Sequence, residues 1–144
     1  MPRVDFYILK NGNSVEQFAC SITNKALKSG KRIHINTQNE ADTAMLDDLL
    51  WTFRDISFLP HEIYQGELTS STAITLGNGN QFPDVAQVIV NLTDSIPAHI
   101  DQYERVIEIV GGSENRKDLA RQRYRDYRKM KFEIHDHQIE LADS

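Results

Sequence analysis

Val88, Ile89 and Val90 form an unbroken β-branched run inside the stretch Val85 to Leu92. Such a run fits a central strand covered on both faces, as in a parallel sheet flanked by helices. The elements ahead of it agree. Val4, Phe6 and Ile8 alternate with Asp5 and Tyr7 before Leu9, and Asn11-Gly12-Asn13 breaks the pattern, which reads as a first strand and a turn. Ser14 and Gln17 make a capping-box pattern ahead of a helix from Val15 to Lys28, with Val15, Phe18, Ala19, Ile22 and Ala26 at helical spacing and Gly30 as its stop. Arg32 to Asn36 reads as a second strand, and Asn39 opens a second helix through Ala41, Ala44, Met45, Leu49 and Leu50. Strand, helix, strand, helix predicts an α/β fold with a mainly parallel sheet.

Further along, Ala73 to Leu76 reads as a brief strand stopped by Gly77-Asn78-Gly79-Asn80, Ser95 to Tyr103 as a short helix, and Arg105 to Val110 as a strand. Between them, Trp51, Phe53, Ile56, Phe58 and Leu59 crowd large apolar groups before Pro60 without a clear period, so they serve either as core lids or as anchors for a partner. The expected organisation is a single α/β domain over residues 1 to 134, then a frayed, solvated tail over residues 135 to 144.

The most lopsided feature is chemical. Residues 116 to 131 hold eight of the sixteen basic residues and only two of the twenty-one acidic ones, a local charge of +6 on a chain of net charge −5. Gly111-Gly112 turns into this segment, Ser113 is placed to cap a helix, and Glu114 stands in its first turn. On a helix, Lys117, Arg121, Tyr124, Arg125 and Arg128 share one face, a row of cations around an aromatic ring. A single basic patch on an acidic body points to an anionic partner docking at a defined place. The plainer reading is a solvated face that serves solubility.

Catalytic chemistry is hard to find. With 40% hydrophobic residues in 144, the chain can bury a core without a disulfide or a metal. Cys20 is the one cysteine, which excludes an intrachain disulfide, suits a reducing compartment and reads as a half-buried structural thiol. No apolar run is long enough to span a membrane and the N-terminus lacks a signal-peptide pattern, so a cytoplasmic protein is expected. Ser29-Gly30-Lys31 lies after a helix rather than before one, and Gly111-Gly112-Ser113 lacks the GxGxxG spacing of a dinucleotide turn. His135 and His137 have no third ligand at a recognisable spacing; His34 and His61 read as structural, and Asp47-Asp48 as a solvated pair. No nucleophile, base and orienting group stand together. No enzyme activity, metal or cofactor is expected.

Phe6-Tyr7-Ile8-Leu9, Ser29-Gly30-Lys31-Arg32, Leu50-Trp51 followed by Ser57-Phe58-Leu59-Pro60-His61, and the stretch Leu119-Ala120-Arg121-Gln122-Arg123-Tyr124-Arg125-Asp126-Tyr127-Arg128 occur in one order over residues 4 to 132. In them the chain resembles the chi subunit of bacterial DNA polymerase III. The resemblance implies a three-layer, Rossmann-like domain with no nucleotide site and an accessory role in the clamp-loader complex. It implies two partners, the psi subunit and the acidic C-terminal tail of the single-stranded-DNA-binding protein, with DNA reached indirectly. By it, Arg121 clasps the terminal carboxylate of that tail, Lys117 and Arg125 draw its upstream acids, and Tyr124 with Val110 walls a pocket for its last ring. Arg125 stands where that family is expected to carry a lysine, which keeps the charge and changes the geometry. Arg128 joins the set on helical spacing alone. Trp51, Phe58, Leu59 and Pro60 correspond to positions that meet psi. Two rivals remain: direct binding of single-stranded nucleic acid by the basic helix, with Tyr124 and Tyr127 stacking on bases, and an enzyme of nucleotide metabolism, which would need a phosphate loop.

Overall fold

The computed structural model describes residues 2–10, 14–52, 61–66, 72–79, 83 and 85–139. Among these, the strands are β1 (Arg3–Leu9), β2 (Ile33–Thr37), β3 (His61–Ile63), β4 (Ile74–Asn78), β5 (Val88–Asn91), β6 (Arg105–Val110) and β7 (Glu133–Ile139), and the helices α1 (Val15–Lys28), α2 (Glu40–Thr52) and α3 (Glu114–Lys129). All seven strands join one sheet in the order β3-β4-β2-β5-β6-β1-β7, and every pairing is parallel. The β-branched run is its centre: β5 is fourth of the seven, and Val88, Ile89 and Val90 are buried.

From β1 the chain steps through α1 to β2 and through α2 to β3, always toward one edge; from β5 it steps to β6 and through α3 to β7, toward the other. Crossovers of one hand must change faces when the direction of travel reverses. The two cores show that change. Ala19, Ile22, Leu46 and Leu50 of α1 and α2 pack with Ile35, Leu76 and Val90 on one face, whereas Tyr127 of α3 packs with Phe6, Ile89 and Val106 on the other. The fold is therefore three layers. The reversal falls between neighbouring β6 and β1, and the crevice outside the C-terminal ends of such strands is where open α/β sheets bind ligands.

Local chemistry explains where the helices begin. Ser14 Oγ accepts from the Gln17 amide at 3.2 Å, and Asn39 Oδ1 from the Asp42 amide at 2.9 Å. Other expectations need correcting. The strand before Gly77 does not stop there but runs to Asn78, and Gly77 has a reason to be glycine, since a Cβ would lie 3.3 Å from the Tyr64 carbonyl oxygen. Val85 is 45% exposed and precedes β5 rather than belonging to it. The helix expected over Ser95 to Tyr103 shrinks to one 3-10 turn, Ile100–Gln102. Cys20 is fully buried, not half-buried, and burial pushes its thiol up to about 12.

The largest correction is at the C-terminal end. Residues 135–139 are not a frayed tail: they belong to β7, which pairs with β1 along its whole length from Arg3↔Glu133 to Leu9↔Ile139. His137 is part of that joint. Its Nε2 donates to the Asp5 carboxylate at 2.8 Å, and its ring stacks on Tyr7 with centroids 4.5 Å apart. Burial alone would raise the Asp5 carboxyl, but hydrogen bonds from His137, Arg105 and Arg3 outweigh it and hold Asp5 below its ordinary value.

His34, in the middle of β2, is enclosed, with Nδ1 paired to Thr75 Oγ1 at 2.8 Å and the ring edge-on to Tyr64. Burial disfavours its charged form and lowers its pKa from 6.5 to about 4. The unfolded chain thus takes up a proton at a pH where the folded one does not. Stability is therefore expected to fall as pH drops from 6.5 to about 4, by roughly 3 kcal/mol at the lower end. Urea midpoints measured against pH test this, with a smaller decline expected over the same window in His34→Gln.

Candidate functional site

The basic helix forms as its sequence suggests. Ser113 Oγ accepts from the Arg116 amide at 3.2 Å, and Gly112 makes the turn before it at φ 83°, a left-handed conformation that favours glycine. One side of α3, with Ala120, Arg123 and Tyr127, is buried against the sheet. The opposite flank carries Lys117, Arg121, Tyr124 and Arg125.

A buried polar network fixes which flank faces out. Glu108 of β6 is fully enclosed and accepts from Arg123 Nε at 3.1 Å, the Tyr127 hydroxyl at 2.8 Å and Asn91 Nδ2 at 2.9 Å. Asn36, Asn91 and Glu108 lie in register on adjacent strands, and Asn36 Nδ2 donates to Asn91 Oδ1 at 3.2 Å. Burial pushes the Glu108 carboxyl up; burial and the neighbouring carboxylate push the Tyr127 phenol far up. Arg123 and Tyr127 are one helical turn apart, so both can reach Glu108 only with the helix in this rotation.

Between α3 and the β1–β7 edge lies a groove of about 520 Å³. Phe6, Ile8 and Leu9 of β1, Val110 of β6 and Ala120 form an apolar floor. Tyr124 stands beside it, its ring 5.1 Å from that of Phe6. Lys117, Arg121 and Arg125 line the α3 wall, and Asp136 of β7 lies across from them, with its Oδ2 3.5 Å from the Tyr124 hydroxyl. The groove thus has one cationic and one anionic wall. Its cations are held by exposed neighbours on their own helix: Lys117 by Glu114 at 3.7 Å, Arg121 by Asp118, and Arg125 by Gln122 Oε1 at 2.9 Å. Exposed pairs of this kind contribute only about 0–1 kcal/mol, so an incoming carboxylate can displace them.

Five of the singled-out residues therefore surround one cavity: Val110, Lys117, Arg121, Tyr124 and Arg125. Arg128 does not line it, because it lies one turn past Tyr124 along α3. Trp51, in the last turn of α2, is 50% exposed rather than a core lid, and its ring centroid lies 4.0 Å from that of His61. Phe58, Leu59 and Pro60 lie outside the described residues. Phe6, Ile8 and Asp136 were not singled out for the site. The alternation of Val4, Phe6 and Ile8 put the first two on one face, but nothing in the sequence paired β7 with β1. Among the described residues, no group of three His, Cys, Asp or Glu could hold a metal ion, and no helix is long and apolar enough to cross a membrane.

An all-parallel α/β sheet whose crevice presents cations over an apolar floor has the build of a binding module for an amphipathic anion. Comparison with known proteins gives the family: the pattern described as DNA polymerase III chi subunit, HolC, matches residues 1–135, and the chain belongs to that family. It is 30% identical over 143 residues to the DNA polymerase III subunit chi of Pseudomonas aeruginosa, covering 96% of this chain and 98% of the relative. It is 27% identical to the subunit chi of Escherichia coli, over 93% of this chain and 96% of the relative, and 30% identical to that of Haemophilus influenzae, over 85% and 88%. The family places the chain with the DNA polymerase III machinery of DNA replication.

Replacing Arg123 with Met removes the guanidinium from an enclosed carboxylate and is expected to cost about 3 kcal/mol or more. Arg121→Ala, on the exposed flank, is expected to stay within about 0.5 kcal/mol of the parent. Urea unfolding of the two variants checks the contrast.

Proposed function

We propose that the groove binds an acidic peptide that ends in a hydrophobic residue with a free carboxylate, and that this peptide is the C-terminal tail of the single-stranded-DNA-binding protein. The observation that carries the reading is the joining of three cations to an apolar floor in one cavity. A terminal aromatic ring needs the surface of Phe6, Ile8 and Val110, with Tyr124 at its side. The carboxylate needs a planar, two-pronged donor, which Arg121 offers. Lys117 and Arg125 take the upstream acids. Asp136 sets orientation by repelling carboxylates from the β7 wall, so the acidic chain lies along α3.

The protein is, on this reading, a non-catalytic adaptor of the clamp loader in the cytoplasm, tying the polymerase to protein-coated single-stranded DNA. Its second contact is with the psi subunit. Trp51 supports that contact, since a half-exposed indole at a helix end is a typical interface anchor.

A titration with an acidic peptide ending in phenylalanine tests the groove. Binding is expected to weaken with rising salt, to fall by about tenfold or more in Arg121→Ala, a loss of about 1.4 kcal/mol, and to fall likewise when the terminal carboxylate is amidated. Asp136→Asn is expected to tighten it a few-fold. Equal binding by Arg121→Ala and the parent would remove the groove as the site. For the second contact, Trp51→Ala is expected to abolish co-elution with psi on size exclusion while leaving the peptide titration unchanged; retained co-elution would clear Trp51 of that role.

A further inference from the structure

In an all-parallel sheet each crossover helix runs back against the strands, so it ends where the next strand begins. Here that geometry collects charge. The last turn of α1 carries Lys25 and Lys28 and leads to β2; the last turn of α3 carries Arg128 and Lys129 and leads through Lys131 to β7. The strand starts form one row, with Ile33, Val88, Arg105, Arg3 and Glu133 in register across β2, β5, β6, β1 and β7. Helix ends and strand starts therefore make up one end of the molecule, opposite the end on which the groove opens.

Five exposed cations gather at this end without partners. Lys117, Arg121 and Arg125 each have a neighbour on α3, and at the groove end only Arg116 among the α3 cations has a side chain with no such partner; the side chains of Lys25, Lys28, Arg128, Lys129 and Lys131 are exposed and enter no ion pair or hydrogen bond with a described residue. Beside them, Arg3 and Arg105 share the carboxylate of Asp5, at 3.0 and 2.6 Å, and Glu133 stands opposite Arg3, so the surplus of charge at this end rests on the five cations without partners. Lys31 is matched by Glu104 at 2.9 Å. Helix dipoles account for basic residues in a last turn; they do not require that those residues lack partners.

We propose that this end is a second interaction surface, one that takes the phosphate backbone of single-stranded nucleic acid. The ligand is a polyanion because the cations are spread across the sheet from α1 to α3 rather than gathered about a pocket, and most are lysines, which act as point charges on phosphates. It is a single strand because Glu133, Asp101 and Glu104 stand among the cations, and a flexible backbone can thread around them where a rigid duplex cannot. The aromatic beside Lys131 is Phe132, half-buried against Tyr127, so base stacking contributes little and binding is blind to sequence. The net charge of −5 does not forbid it, since charges more than about 10 Å apart are largely screened at 0.1 M salt and the local balance decides.

The test is fluorescence anisotropy of a labelled oligothymidine with the whole chain across a salt series, on the parent and on the triple variant Lys25→Gln, Lys28→Gln, Lys129→Gln. The parent is expected to bind at low salt. The variant is expected to bind at least tenfold more weakly, with a log–log salt slope shallower by about 2, from roughly 0.7 for each cation removed. Its titration with the acidic peptide is expected to match the parent's, which separates this surface from the groove. No oligonucleotide binding by the parent at low salt, equal binding by the variant, or a loss seen in Arg121→Ala instead would overturn the proposal. Tighter binding of a matched duplex would overturn its assignment to single strands.

Discussion

The enclosed Glu108 carboxylate determines how the rest of the molecule is arranged. It lies on β6 beneath α3 and has three donors, Arg123 and Tyr127 from the helix and Asn91 from the central strand. An apolar contact would let the helix slide or turn by a fraction of a residue. A carboxylate that needs two donors one turn apart does not, because losing either leaves charge or a hydroxyl in a dry interior. Tyr127 then meets the Phe6 ring edge-on at 5.9 Å, and Phe6 is the floor of the groove. The network inside the protein thereby sets the shape of a surface outside it.

This coupling explains why part of the site could be read from the sequence and part could not. Helical spacing gathers Lys117, Arg121, Tyr124 and Arg125, since a helix brings residues three and four apart together whatever it packs on. The same spacing overreached at Arg128, because a helical projection ignores distance along the axis. The floor is another matter. Phe6 and Ile8 could be placed on one face of a strand, but their neighbour across the edge, Asp136, comes from a strand whose pattern is too polar to announce itself. His135, His137 and Gln138 look like a solvated tail until β1 is beside them. The buried partners are equally silent. Arg123 and Glu108 look like ordinary surface charges, and only the packing reveals that each is enclosed with the other.

The fold class was legible for a different reason. Alternation of strand and helix patterns, with an uninterrupted β-branched run for the centre, depends on local periodicity, and local periodicity survives in a single sequence. Failures clustered where glycine, proline and short polar segments let tertiary contacts decide, as around Gly77 and over Ser95 to Tyr103. Trp51 could not be assigned from sequence, because the same indole suits a core lid or an exposed anchor.

The place of β1 has a consequence for how the chain is made. Its partners are β6 and β7, beginning at Arg105 and Glu133, so among the described strands the earliest in the chain pairs with the two latest. Until those strands are present β1 has neither of its neighbours. Pairings that close long loops form slowly. The groove between α3 and β1 therefore needs both ends of the described chain at once: a chain that stops before α3 cannot form it, whatever the rest of the sheet does.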